Sequence, residues 1–155
     1  MKFVSAFAIV LLAIPAFSQT KGKSDVFAAN DIKEKLAILE QTSKVSGSGG
    51  AKLGDYGSHS IALSVRDSSG GAEVHAHYDD IFLVTQGKAT LITGGTVVDA
   101  KTGADGETKG SRVEDGTAQT ISAGDVVHIP AGTPHQLIVA PGVTYSSIVI
   151  KVREG

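Results

Sequence analysis

One stretch, which contains glycine and proline at fixed positions and ends in histidine, constrains the fold of this chain more than any other sequence feature. Residues 124–135 read GDVVHIPAGTPH, so that Gly124, Pro130 and Gly132 precede His135 at fixed intervals. Glycine reaches positive φ at little cost, and proline fixes φ at the entry to a turn. The pattern therefore predicts a tight loop between two strands, with His135 aimed by that loop.

A second histidine cluster lies more than fifty residues upstream, where residues 75–77 read HAH. Side chains alternate between the two faces of a strand, so His75 and His77 are expected on one face, with α-carbons about 6.5–7 Å apart. That separation allows two imidazoles to converge on one ion.

The downstream motif resembles one of the two motifs of the cupins, which are small β-barrels. It matches the cupin pattern at the glycines, the proline and the histidine named above. The asparagine that cupins carry four residues after the histidine is replaced by Val139. The resemblance covers roughly residues 56–152. It implies an all-β fold, a cupin-type double-stranded β-helix or jelly-roll-like barrel, here with one short N-terminal helix.

The upstream motif is looser than its cupin counterpart. The usual form is a glycine, H-x-H, three or four residues, a glutamate, six residues and a glycine. Here Asp80 and Gly87 have the spacing of the glutamate and the second glycine. Only two residues separate His77 from Asp80, and the acid is aspartate.

The resemblance implies a metal site formed by His75, His77 and His135, with Asp80 as an anionic fourth ligand. Three imidazoles and a carboxylate suit a borderline divalent ion such as Mn, Fe, Ni, Cu or Zn, and the ligand set does not choose among them. The shorter loop and side chain leave a second possibility for Asp80, which is to support a ligand without reaching the ion.

A different register of the upstream motif is also open. If four residues precede the acid, counting back from Asp80 puts His75 at the second histidine position and Glu73 at the first. His77 would then point at the rim. Glu73 is therefore an alternative ligand, or else a rim carboxylate paired with a basic side chain.

Two further histidines, His59 and His128, are candidates for the pocket. His59 shares the strand phase of Ile61, Leu63 and Val65, which places it either in the barrel interior, as a candidate catalytic base, or at a strand end on the surface. His128 lies in the GDVVHIP segment and is interpreted as packing or pocket lining.

The strand pattern favours a sandwich or barrel, because short period-two segments follow one another with turn signals and without helices between them. A long glycine-rich excursion, residues 94–116, separates the two motifs and is expected to form a hairpin or a lid over one end of the barrel. Strands are expected at about 59–65, 73–77, 81–86, 88–93, 117–121, 126–129, 135–140 and 143–152.

The first eighteen residues have the form of a secretory signal peptide. Lys2 precedes an apolar run, and a small-residue pattern, Ala16-Phe17-Ser18, stands before Gln19. An apolar run of about twelve residues is short of the twenty that span a bilayer. The expected cleavage near Ser18 predicts a periplasmic or secreted protein, and without cysteine it has neither a lipid attachment site nor disulfides.

Residues 19–55 are interpreted as a lead-in, a helix and a linker, followed by the barrel at 56–155. A capping box at Asp31-Ile32-Lys33-Glu34 and apolar residues at Ile32, Leu36 and Leu39 predict an amphipathic helix at about 31–43. The glycine- and serine-rich stretch 44–58 is expected to be a loop. The apolar face of the helix packs on the barrel or on a second subunit, and a homodimer is predicted.

Composition excludes several function classes. A formal net charge of −2 and the absence of a long basic run argue against nucleic acid and membrane surfaces as partners. No cluster of arginine or lysine falls on the expected inward phase, which argues against phosphosugars. There is no cysteine, no G-x-S-x-G elbow and no phosphate-binding loop.

The sequence thus predicts an exported single-domain cupin that binds a divalent metal and a small-molecule ligand. If it is an enzyme, the resemblance implies a metal-dependent oxygenase, lyase or isomerase. The alternative is a non-catalytic cupin that binds a small ligand or a sugar, and the sequence does not decide between them.

Overall fold

The computed structural model describes Gly22 and residues 24–155, so the predicted signal peptide at 1–18 lies outside the described residues. The described chain forms one helix, α1, at Ala29–Ser46, followed by short strands. The strands are β1 Ser48–Asp55, β2 His59–Arg66, β3 Ala72–His75, β4 Tyr78–Gln86, β5 Lys88–Thr93, β6 Thr96–Val98, β7 Lys101–Thr102, β8 Glu107–Gly110, β9 Arg112–Glu114, β10 Thr117–Ser122, β11 Val126–Ile129, β12 His135–Ile138 and β13 Tyr145–Arg153.

Two antiparallel sheets form the walls of a barrel. One has the strand order β1-β2-β13-β4-β11, the other has the order β10-β5-β12-β3-β8-β7, and β6 and β9 form a separate ribbon. The chain passes from one wall to the other several times, since β3 and β5 belong to the second sheet and β4 to the first. The expected all-β architecture with a single helix is confirmed.

An apolar core fills one end of the space between the walls. Its largest members are Phe82, Leu91 and Tyr145, and Val139 belongs to it with 5% of its surface exposed. The position where cupins carry an asparagine is therefore a packing position in this chain. The core residues are Phe82, Val84, Ala89, Leu91, Ile121, Ile129, Val139 and Tyr145.

The apolar phase of β2 faces away from this interior. Leu63 and Val65 are buried beneath α1 on the outer face of the sheet, where they contact Leu39. The phase of His59, Ile61, Leu63 and Val65 therefore does not line the barrel, because the helix covers the outside of the sheet and makes that face apolar too.

The helix begins two residues before the predicted capping box. Its N-cap is Ala28, which makes no side-chain hydrogen bond, and Asp31 lies in the first turn, where a carboxylate is favourable near the helix dipole. The helix ends at Ser46, and the next residue, Gly47, caps it. Gly47 takes a left-handed conformation and donates its N–H to Ser43 O at 2.7 Å. No helix among the described residues is long and apolar enough to cross a membrane.

The glycine-rich stretch after the helix is a strand, not a loop. β1 pairs antiparallel with β2 along its length and forms the edge of the first sheet. A side chain at Gly49 would come within 3.1 Å of Leu39 O, so the small residue lets the helix backbone lie close to the strand. Close packing of α1 thus overrides the low strand propensity of serine and glycine.

The excursion at 94–116 contributes β7 and β8 to the second sheet and forms the separate ribbon of β6 and β9. β6 pairs with β9, β7 pairs with β8, and β8 pairs with β3. The Gln136 side chain fastens this segment by accepting the Val113 N–H at 3.1 Å and donating to Gly70 O at 2.9 Å. The segment is a pair of hairpins that extend the wall, and a free lid is not formed.

The docking of α1 yields a prediction with an internal control. Leu39 is 9% exposed and contacts Leu63 and Val65, whereas its neighbour Ile38 is 67% exposed. We expect Leu39→Ala to lower the free energy of unfolding by about 2–5 kcal/mol, since a buried leucine loses its contacts and leaves a cavity. Ile38→Ala should change it by less than about 0.5 kcal/mol. Urea unfolding measures both, and equal losses would contradict the docking.

Candidate metal centre

The glycine and proline loop delivers His135 as the sequence pattern indicates. Gly132 has φ +74°, and its N–H donates to His75 O at 2.8 Å, which ties the loop to the end of β3. His135 begins β12 and is 6% exposed. Its Nδ1 donates to Thr133 O at 3.0 Å, because a carbonyl can only accept. This bond leaves Nε2 unprotonated and turned into the barrel.

His75 is held in the same manner at the end of β3. Its Nδ1 hydrogen-bonds the Glu107 carboxylate, and Glu107 lies opposite His75 in the pairing of β3 with β8. Its Nε2 is buried and has no hydrogen-bond partner among the described residues. The rings of His75 and His135 lie 5.1 Å apart between centroids.

Two carboxylates face this ring nitrogen. Glu73 Oε2 lies 3.8 Å from His75 Nε2, and Asp80 Oδ2 lies 3.2 Å from it. Glu73 comes from β3, where it pairs with His135 of β12, and Asp80 comes from β4 in the opposite wall. One side-chain atom each of Glu73, His75 and His135 lies within 4.8 Å of the other two.

A lysine compensates part of the negative charge. Lys151 Nζ donates to Asp80 Oδ1 at 2.7 Å, and the two residues are register partners in the pairing of β13 with β4. Asp80 is only 3% exposed. A buried carboxylate is costly unless it is paired, so Lys151 explains how Asp80 stays ionised inside the barrel.

The pKa values follow from these contacts. Burial alone lowers the pKa of His75, but the Asp80 carboxylate beside it and the Glu107 bond outweigh burial and raise the pKa above its ordinary value. Burial lowers the pKa of His135 and outweighs the opposing effects of the Thr133 carbonyl and of the Asp80 carboxylate, which is farther from this ring. Burial acts to raise the pKa of Asp80, yet His75 and Lys151 together hold that pKa below its usual range.

His77 lies outside this cluster. β3 ends at His75, and Ala76 and His77 form the turn that carries the chain to β4 in the other sheet. His77 is exposed, and its ring lies beside Gly106, where an added β-carbon would be 2.9 Å from His77 Nε2. The expectation that His75 and His77 share a strand face does not hold, because the strand and its alternation end at His75.

His59 and His128 also lie away from the cluster. His59 stacks on Tyr56, with 4.9 Å between ring centroids, and its Nδ1 is 3.0 Å from Ser58 Oγ. The His128 side chain is 56% exposed and its Nε2 is 3.0 Å from Asp79 Oδ2. Neither residue lines the cavity beside the cluster, and His59 takes the strand-end position that the sequence left open as the alternative.

A cavity of about 250 Å³ adjoins the cluster between the two walls. Glu73, Asp80, His135 and Lys151 lie at one end of it. None of its lining residues comes from 94–116, so the excursion does not cover the cavity as expected. The volume lies below the roughly 300–1,000 Å³ of pockets for drug-sized ligands, which points to a small ligand.

Sequence reasoning missed three residues with charged groups near the cavity. Glu107 stands in a segment whose pairing with β3 has no local sequence signal. Lys151 and Arg66 line the cavity singly, so the absence of a basic cluster on the inward phase did not reveal them. Alternate residues of β13 line the cavity, namely Tyr145, Ser147, Val149 and Lys151. This alternation is the signal from which the inward position of Lys151 could have been predicted.

Solved structures with the same architecture were found. A double-stranded β-helix protein from Klebsiella pneumoniae aligns with a TM-score of 0.53 at 13% identity, covering 70% of this chain and 79% of that one. The cupin domain of Schizosaccharomyces pombe Cnp3 also gives 0.53, at 11% identity over 69% of this chain. The chain has the cupin fold.

Further solved structures with this fold are named as enzymes or as predicted enzymes. The polyketide cyclase RemF from Streptomyces resistomycificus aligns with a TM-score of 0.50 at 17% identity over 70% of this chain. A predicted oxalate decarboxylase from Thermotoga maritima gives 0.52 at 14%, covering 69% of this chain and 81% of that one. The chain spans 66% of the length of RemF and 65% of that of the Cnp3 domain. No family model and no curated protein matches the chain.

Glu73, His75 and Asp80 have the spacing of the cupin upstream motif when counted back from Gly87. Four residues separate His75 from Asp80 and six separate Asp80 from Gly87. In this register glutamate stands where cupins have their first histidine. The residues that this register assigns to the motif, Glu73, His75 and Asp80, lie together in the barrel.

Asp79 fixes the loop that aims His135 and yields a second prediction. Its Oδ1 accepts the Ala131 N–H at 2.8 Å, and its Oδ2 contacts His128. We expect Asp79→Ala to speed hydrogen exchange at the Ala131 amide severalfold, because that N–H loses its acceptor. His128→Ala removes only the other contact and should leave this amide protected. Unchanged exchange in Asp79→Ala would show that the loop is held by other contacts.

Proposed function

We propose that this cupin binds a divalent transition metal at Glu73, His75 and His135 and a small-molecule ligand in the adjoining cavity. The observation that carries the proposal is the buried Nε2 of His75, which has no hydrogen-bond partner among the described residues. A buried polar atom without a partner is costly, and it is rare in native proteins. A cation between this nitrogen and the facing carboxylates would satisfy it.

The donor set fits such an ion. In both histidines Nδ1 is engaged by an oxygen, and the opposite nitrogen is directed at the cluster. Fixing the outer nitrogen of a ligating imidazole in this way sets its tautomer and raises its basicity. Two imidazoles and a carboxylate suit Mn, Fe, Ni, Cu or Zn. When bound, the metal would act as a Lewis acid toward an oxygen atom of the ligand.

Asp80 has a supporting role in this proposal. It is close to both histidines, with Oδ2 3.2 Å from His75 Nε2 and 3.8 Å from His135 Nε2, but its other oxygen is engaged by Lys151. Asp80 therefore adds negative charge beside the metal site and orients Lys151 toward the cavity. Lys151 is the group best situated to hold or deliver a proton to a ligand there.

The enzymatic form of the proposal is a metal-dependent oxygenase, lyase or isomerase. Support for it is at the level of the fold, since a polyketide cyclase and a predicted oxalate decarboxylase share the architecture. Three protein ligands would also leave positions on the ion for a ligand in the cavity, which is the arrangement of catalytic metal sites.

A non-catalytic, ligand-binding cupin is the second candidate. The Lys151 pair with Asp80 favours it, because this contact compensates one of the carboxylates without any metal. A screen of hydroxy acids, diketones and sugars, with and without dioxygen, separates the two. Product formation by the metal-loaded protein supports the enzyme. Binding of a ligand without conversion, equally strong in the metal-free protein, supports the binder.

We also propose that the protein is exported. The support is the order of Lys2, the apolar run and the small residues before Gln19. Mass spectrometry of protein recovered from the periplasm or the medium should find a chain that starts near Gln19.

The metal proposal predicts a specific order of effects. Glu73→Gln, His75→Ala and His135→Ala should each remove nearly all bound metal, because each removes one of three ligands. Glu107→Gln should weaken metal affinity by about 10- to 100-fold, since it orients a ligand without contacting the ion. Metal content of untagged protein, by mass spectrometry, and titration with Mn(II) or Zn(II) measure these effects.

His77→Gln is the matched control. It removes the other histidine of the HAH segment, two residues from His75, and should leave metal content unchanged. Metal loss in His77→Gln as large as that in His75→Ala would contradict the ligand set. Wild-type protein that takes up no divalent metal at all would contradict the metal site itself.

A further inference from the structure

The end of the cavity away from the histidines carries an arginine without a carboxylate partner. The side chains of β2 that face the cavity are Ala62, Ser64 and Arg66, which alternate with Leu63 and Val65 on the outer face. Arg66 is half-buried, and no carboxylate among the described residues forms an ion pair with it. Its guanidinium lies against Gly70, where a β-carbon would be 2.9 Å from Nη1.

A second polar group beside Arg66 also has no partner. Tyr145 is the register partner of Arg66 in the pairing of β13 with β2, lines the same cavity and is 1% exposed. Its buried hydroxyl has no hydrogen-bond partner among the described residues. Burial raises the pKa of Tyr145, so the hydroxyl remains a donor.

The middle of the cavity is apolar. Phe82, Leu91 and Val149 line it between the two polar ends. Tyr145 and Lys151 lie six residues apart on β13, which corresponds to about 20 Å between their α-carbons. A ligand that filled the cavity would therefore meet a cation and a hydroxyl donor at one end, hydrocarbon in the middle, and the metal-site residues at the other end.

We infer that Arg66 and Tyr145 form a subsite for the carboxylate of a small organic acid with an apolar body. A guanidinium offers a planar pair of donors that matches a carboxylate, and the tyrosine hydroxyl adds a third. One cation with one hydroxyl suits a single negative charge better than a phosphate dianion. That the other end of this acid reaches a metal rests on the proposed function, whereas the carboxylate subsite does not.

Octanoate and octanamide, of equal length, are the probes for the subsite. Calorimetry on the metal-free protein should show octanoate binding about tenfold more tightly than octanamide. Arg66→Gln should abolish this preference, and Tyr145→Phe should reduce it while keeping the ring in the core. Lys52→Gln is the matched control, because it removes a cation whose side chain is 64% exposed and lies outside the cavity.

Two results would overturn the subsite. One is equal affinity for octanoate and octanamide, or no binding of either, in folded wild-type protein. The other is an octanoate preference that survives Arg66→Gln, which would place the carboxylate elsewhere. Circular dichroism and melting temperature establish that each variant is folded, and Tyr145→Phe serves if Arg66→Gln does not fold.

Hydroxamates separate this inference from the proposed metal site. Octanohydroxamate and its analogue with a terminal carboxylate both present a metal-chelating group. Only the analogue also carries a negative charge that can pair with Arg66. We expect the Mn(II)-loaded protein to prefer the carboxylate analogue, and Arg66→Gln to lose that preference. Metal uptake without any octanoate preference refutes the subsite alone, and an Arg66-dependent octanoate preference without metal uptake refutes the metal site alone.

Discussion

The passage of the chain from one wall of the barrel to the other between His75 and Tyr78 determines the rest of the site. Glu73 and His75 lie on the wall before this turn, and Asp80 lies on the opposite wall after it. His135 stands beside Glu73 because β12 pairs with β3. The cluster is thus assembled from both sheets at the seam between them, and the glycine loop before His135 is tied to the same turn by its bond to His75 O.

Charge balance at this seam explains why the site suits a cation. Glu73, Asp80 and Glu107 contribute three carboxylates around His75, and Lys151 pairs with only one of them. Buried charges are tolerated when they are paired or coordinate metals. A divalent ion would complete this balance. The opposite end of the cavity has the reverse character, since no carboxylate among the described residues pairs with the guanidinium there. The inferred ligand accordingly carries a different polar group at each end.

The loop that presents His135 could be predicted because glycine and proline act locally. β5 at Lys88–Thr93 and β11 at Val126–Ile129 also have the predicted bounds, since turn residues flank them. The face of β2 could not be predicted in this way. The period-two pattern of β2 does not tell which of its two faces is the inner one. The helix packed outside the sheet makes the outer face the apolar one. Periodicity gives the two faces of a strand but does not say which faces the cavity.

The ligand register was left open by the sequence for a related reason. Strand alternation would have carried His77 onto the face of His75, but the chain turns after His75 in order to change sheets. The four-residue spacing between His75 and Asp80 indicates the grouping seen in the barrel, because it assigns Glu73 and His75, and not His77, to the motif. Glu107 was beyond reach, since it meets His75 only through the pairing of β8 with β3, which neither segment signals by itself.

Anomalous diffraction from crystals of the Mn(II)-loaded protein tests the central claim most directly. The account predicts one strong peak between the Glu73 carboxylate and the Nε2 atoms of His75 and His135, with Lys151 still on Asp80. A peak that joins His75 to His77, or no peak in the barrel at saturating Mn(II), would contradict it.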